Sequence, residues 1–177
     1  MAATFEFKED TGSATGSPAH GTTRTTAITN VNWKAIDDST TAYSSSPIVA
    51  GTNSYGKYQY GHFSGTFNSI LNAKFSAHTA GTSPMGTGLT LVGKVTSTYA
   101  TPSQTALTST TDFSSTVAIG SGITVNFSTT GPEDASPTST LSAAGYSQYL
   151  LTQLQTTTSA AAGDTATITG TLVYDEN

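Results

Sequence analysis

Cysteine is absent from this 177-residue chain, and charge is sparse: six Lys and Arg, eleven Asp and Glu, and a formal net charge of −5. Without Cys there are no disulfides and no thiolate metal ligands. Stability has to come from packing and backbone ladders, to which neighbouring subunits could add. The basic residues, Arg24 and five Lys, stand singly along the chain. They form no cluster that could neutralise a nucleic-acid backbone, so a nucleic-acid partner is not expected. No apolar run approaches the ~18 residues of a membrane span, so no membrane partner is expected either. The start, Met1-Ala-Ala-Thr-Phe-Glu-Phe-Lys8, has no apolar core and does not read as a signal peptide.

Catalytic raw material is equally short. The three histidines are His20, His62 and His78. The separation of His62 and His78 matches no helical metal pair. There is no Gly-x-Ser-x-Gly elbow and no phosphate-binding loop. The paired carboxylates are Asp37-Asp38, Glu133-Asp134 and Asp175-Glu176. All fall at turns or the terminus, where solvated acids are ordinary, whereas a glycosidase needs two carboxyls across a cleft. Asp37/Asp38 or Glu133/Asp134 could offer oxygen ligands to a hard cation, but neither has the alternating acidic spacing of a calcium loop. The expectation is therefore no catalytic residue, no cofactor and no metal.

What is present is Thr and Ser, roughly one residue in three, together with seven Phe, eight Tyr and Trp33. β-Branched hydroxyl residues favour pleated strands with a wet, uncharged face. The aromatics separate the chain from disordered sequences, which lack them and carry more charge. They also let an apolar content of only 35% build a core.

Phe5 and Phe7 alternate with Glu6 and Lys8, a short strand. Residues 9–27 are rich in Gly, Ser and Thr and contain Pro18. They read as a loop or an extended arm that could lie on a neighbour. Residues 1–27 are thus an N-terminal strand and arm, and residues 28–177 one β domain. Ile28–Ile36 reads as a strand with Val31 and Trp33 on one face. Ser44–Gly51 is a turn, a brief extended piece and another turn.

Tyr55–Phe67 carries the strongest alternation. Tyr58, Tyr60 and His62 face one way, and Lys57, Gln59, Gly61, Phe63, Gly65 and Phe67 the other. Gly61 and Gly65 within it suggest a bulge or a close backbone approach. Asn68–Phe75 fits a strand or a helical turn, and Leu89–Val95 a strand. Thr98–Asp112 is a connection. Val117–Ile119 and Ile123–Phe127 flank the hairpin signal Gly120-Ser121-Gly122. Gly131–Pro137 is a loop. Tyr146–Gln155 is a strand, with a helix over Gly145–Leu154 as the alternative. Ala160–Asp164 is a turn, and Ala166, Ile168, Leu172 and Tyr174 alternate with Thr to the end. Seven to nine short strands and no internal repeat give an all-β class, an antiparallel β-sandwich, jelly-roll-like.

Val31-Asn-Trp-Lys-Ala-Ile-Asp-Asp38, the Tyr-rich run at 55–60, Phe67-Asn-Ser-Ile-Leu-Asn72 and Gly145–Gln155 give the chain a layout. So do Ala162-Gly163-Asp164 and the ending Thr165–Asn177. This layout resembles small virion structural proteins of tailed bacteriophages, encoded with head or neck genes. The resemblance implies a jelly-roll or sandwich module that decorates the capsid or encircles the neck, brings no catalytic residues, and is located in the virion.

Its partners would be phage capsid, neck or tail proteins and further copies of itself, with a trimer favoured. Phe5, Phe7, Tyr55, Tyr58, Tyr60, Phe63 and Phe67 are the expected subunit contact. Low charge suits the centre of such an interface. The alternative is a carbohydrate- or receptor-binding module of a tail fibre, stacking sugar on Tyr55, Tyr58, Tyr60 and Trp33. The same tyrosines can instead fill the core.

Overall fold

The fold was obtained as a computed structural model, which describes residues 2–76, 85–115, 118, 120–161 and 168–177. It is an all-β, antiparallel, sandwich-like arrangement, with no α-helix among the described residues and one 3₁₀ turn at Tyr43–Ser45. The strands are β1 (Ala3–Thr15), β2 (His20–Thr25), β3 (Lys57–Gly65), β4 (Ile70–Ser76), β5 (Leu89–Thr96) and β6 (Thr111–Asp112). They continue with β7 (Ile123–Thr124), β8 (Phe127–Ser128), β9 (Thr140–Leu141), β10 (Gly145–Ser147), β11 (Tyr149–Thr156) and β12 (Thr171–Glu176). The first sheet runs β2-β1-β3-β11-β5-β6, with β10 pairing both β3 and β8. The second runs β12-β4-β7, with β9 on β4. The two sheets hold eight and four strands.

Alternation along the central strands sorts the interior into two clusters. Phe63 and Leu150 join Ile70, Phe75, Leu91, Phe113, Val125, Phe127 and Leu141 in an apolar core between the sheets. Tyr58, Tyr60, Tyr149 and Leu151 point the opposite way and form a second cluster with Tyr99. Residues one apart, such as Leu150 and Leu151, thus serve different cores, as the period of two requires. Edge-to-face ring packing joins Phe63 to Phe127 at 5.6 Å and Tyr149 to Tyr58 at 5.4 Å. A Cβ at Gly61 would come 2.6 Å from a Phe5 ring carbon, so any side chain there would force the Phe5 ring to shift.

Several expectations change. Residues 9–27 are no arm: β1 continues to Thr15, turns, and returns as β2, which pairs with it from Glu9↔Thr25 to Thr15↔His20. Their Thr-rich composition serves a hairpin. Its strand β1 also runs along β3 from Ala3↔Gly65 to Asp10↔Tyr58, which ties residues 1–27 into the body. The register slips between Thr11 and Ala14, where Gly12 takes φ +86°. That slip is the irregularity that hid the strand.

Ile28–Ile36 is not a strand. Lys34 is buried beside a half-buried Trp33, and two consecutive side chains turned inward break a period of two. Residues 28–50 instead form a strap, tied to the body by the Ile28 N–H donated to the Phe7 carbonyl and by Lys57 Nζ donated to the Asp38 carbonyl. Ile123–Thr124 pairs with β4 and Phe127–Ser128 with β10, so neither forms a hairpin with the segment before Gly120. Val117 and Ile119 of that expected hairpin lie outside the described residues. So do His78, residues 162–164 of the expected turn, and residues 165–167 of the last strand.

Candidate functional site

Charged residues are few, yet Glu9, Asp10, Lys34 and Lys57 are all nearly or fully buried. They build two polar nodes on neighbouring strands.

The first centres on Asp10 of β1, whose side chain is fully enclosed. Tyr149 donates its hydroxyl to Asp10 Oδ2 at 2.6 Å, and Tyr60 donates to Oδ1 at 3.2 Å. Arg24 of β2 places Nε 3.3 Å from Oδ2 and donates from Nη2 to Glu133 Oε1 at 2.8 Å. Burial and the Asp10 carboxylate together push both tyrosine hydroxyls far above their ordinary range. Burial works against the Arg24 charge, but Glu133 and Asp10 outweigh it and hold the guanidinium protonated. Both Asp10 oxygens are engaged and its charge is matched. The node therefore locks β1, β2, β3, β11 and the Glu133 loop together rather than presenting a base.

The second node lies under the strap. Lys57 Nζ of β3 stands 3.4 Å from Glu9 Oε1 and donates to the Asp38 carbonyl at 2.7 Å. Gln59 Nε2 donates to Glu9 Oε2 at 3.1 Å. From the strap, Lys34 Nζ reaches Asp38 Oδ1 at 2.7 Å and the Thr41 carbonyl. Asp37 accepts the Gly12 N–H through Oδ2 at 2.7 Å, while its buried Oδ1 has no hydrogen-bond partner. Burial raises the Glu9 carboxyl against the pull of Lys57, and burial likewise raises Asp37. At Asp38 partial burial is overcome by Lys34, Thr41 and Thr40, which hold the carboxyl well below the usual range.

Asp38 is a depressed carboxylate, so its contribution to stability is full above the unfolded value and is lost as pH falls through the folded one. Acid titration of the thermal midpoint should show that loss below the ordinary carboxylate range. Asp38→Asn should remove it, and an unchanged acid limb in the variant would refute the assignment.

Beside the strap opens a cavity of about 990 Å³ lined by Phe7, Trp33, Ile48, Phe75, Leu89 and Leu154, among others. The Trp33 indole N–H, donated to Thr152 Oγ1 at 3.1 Å, fixes one wall. On the far face His62 stacks on Tyr146 with centroids 4.8 Å apart, and its Nδ1 lies 3.1 Å from Glu6 Oε1. Lys8 bridges the same carboxylate at 3.0 Å.

The residues expected at a subunit contact do not gather on the surface. Tyr58, Tyr60 and Phe63 are 6%, 1% and 0% exposed. They fill the chain's own cores, so neither a partner nor a sugar can reach their faces. Phe5 is half-buried against Phe7, Phe63 and Tyr174. Phe67 and Phe7 also pack on the main core. Tyr55 and Trp33 are half-buried, with Tyr55 held by its N–H to the Lys34 carbonyl.

The three acidic pairs are each divided between separate tasks. Asp37 caps the β1 bulge while Asp38 holds Lys34. Glu133 binds Arg24 while Asp134 closes its own turn through Ser128 and Ser136. Asp175 accepts from Asn72, and Glu176 from the Ala3 N–H.

Glu9, Asp10, Lys34, Lys57 and Gln59 escaped the sequence reading. A signal for part of the group was available: Lys57 and Gln59 share a strand face with Phe63, and Glu9 continues the Phe5, Phe7 face. Charge on the inward side of an apolar strand marks a buried node. No family model matches the chain, and no curated protein or solved structure matches it.

Proposed function

We propose that this chain is a non-enzymatic structural protein of a tailed-phage virion, a capsid decoration or a neck or collar component. It works as a homo-oligomer, with a trimer favoured, that stabilises the particle through subunit contacts. The observation that carries the reading is where apolar surface remains. Among the described residues the exposed large hydrophobics are Ile36 (40%), Tyr43 (46%) and Val49 (67%), all on the strap. An exposed apolar group on one segment, rimmed by uncharged Thr and Ser, has the composition of a subunit contact. The strap takes the place in that role of the aromatics, which serve the chain's interior. β2 adds exposed Thr22 and Thr23 at a sheet edge, which further copies or a capsid strand could cover.

The deciding experiment is mass by light scattering, followed by co-sedimentation with empty phage heads. A stable oligomer that binds heads and raises their resistance to heat supports the reading. A monomer that ignores heads and binds bacterial surfaces overturns it in favour of receptor recognition. Val49→Asp combined with Ile36→Ser should shift the oligomer to monomer without lowering the monomer's own thermal midpoint, because neither side chain belongs to a core. Unchanged mass would remove the strap from the interface.

A further inference from the structure

The Lys57–Glu9 pair is enclosed more completely than an ordinary ion pair. Its side chains are 1% and 2% exposed, on adjacent antiparallel strands and roofed by the strap. Two charges withdrawn from water are costly to hold unless their geometry is excellent, and a separation of 3.4 Å is not. The alternative to the ion pair is a proton transfer that leaves a neutral amine beside a neutral carboxylic acid. Those two are a nucleophile and an electrophile already held in contact, the situation in which proximity most accelerates a reaction. Gln59 donates to Glu9 Oε2, so an N–H is aimed at one carboxyl oxygen while Lys57 approaches from the side of the other. Lys34, the other buried amine, is occupied by Asp38 and the Thr41 carbonyl.

We propose that Lys57 and Glu9 condense into an intramolecular isopeptide bond, stapling β1 to β3. The ammonium proton passes to Glu9, and the Lys57 amine attacks the carboxyl carbon. Gln59 steadies the resulting oxyanion at Oε2. A second proton passes from the nitrogen to the Oε1 hydroxyl within the intermediate, and that oxygen leaves as water. One N–C bond forms, one C–O bond breaks, and no oxidant or second substrate is consumed. The product amide keeps one N–H for the Asp38 carbonyl and removes both buried charges. In a chain with no Cys it supplies the covalent tie that a disulfide cannot.

The test is mass spectrometry of the full-length folded protein. The chain should be one water lighter than its residues sum to. Trypsin should release residues 9–24 joined to residues 35–74, uncut at Lys57. Lys57→Arg, which keeps the cation but does not condense, should restore the full mass. A wild-type chain at full mass overturns the proposal and leaves a buried ion pair. So does a lost water whose digest links other residues.

Discussion

Asp10→Ala should destabilise the fold by about 3–5 kcal/mol, the range for breaking a buried charge pair by deleting one partner. The carboxylate accepts from Tyr149 at 2.6 Å and Tyr60 at 3.2 Å, and both hydroxyls are shut away from water. Each bond to a charged acceptor contributes about 1.5–3 kcal/mol, and a hydroxyl stranded by its loss adds a desolvation penalty. Arg24 adds less, since its side chain is more than a third exposed and water screens its charge. Tyr149→Phe removes the shorter bond alone and should cost about half as much. A double-mutant cycle by urea denaturation should give strong coupling between the two positions. Additive effects would mean that the node is not a unit.

Phe63→Ala should be of the same size, about 3–5 kcal/mol, the usual cost of deleting a buried phenyl ring. Phe63 is fully buried and packs on Phe5 at 5.1 Å, Tyr174 at 5.0 Å and Phe127 at 5.6 Å. One ring thus joins β1, β12 and β8 across the gap between the sheets. The variant also discriminates between two roles for this aromatic. A core residue lowers the denaturation midpoint at every protein concentration. An interface residue would first lower the oligomer's mass and leave the isolated chain's midpoint alone, and that result would reverse its placement here.

How far the fold was legible depended on how cleanly each segment obeyed a period of two. β3 was readable because Tyr58, Tyr60 and Phe63 alternate without interruption, and β5 and β11 for the same reason. The first half of β1 was legible from Phe5 and Phe7, but its continuation and β2 were hidden because a bulge at Gly12 and a run of Thr and Gly carry no amphipathic signal. The strap was misread because Val31 and Trp33 mimic alternation, while the residue that decides its path is Lys34, drawn inward by Asp38. The chemistry followed the same pattern. Isolated charges reveal nothing about partners far apart in sequence, and Glu9 meets Lys57 only once β1 lies on β3. Conversely, the aromatics were recognisable as large burial, but periodicity does not distinguish a chain's own core from a subunit contact.

The enclosure of Lys34 has a consequence for the chemical reactivity of the intact molecule. Acylating reagents reach amines through water, so Lys8, Lys74 and Lys94, which are all partly exposed, present themselves to such a reagent while Lys34 does not. Lys34 is held by groups that belong to the strap itself, and it becomes modifiable only when the strap lifts. Its rate of acylation is therefore a clock for strap opening, readable in the free subunit and again after assembly.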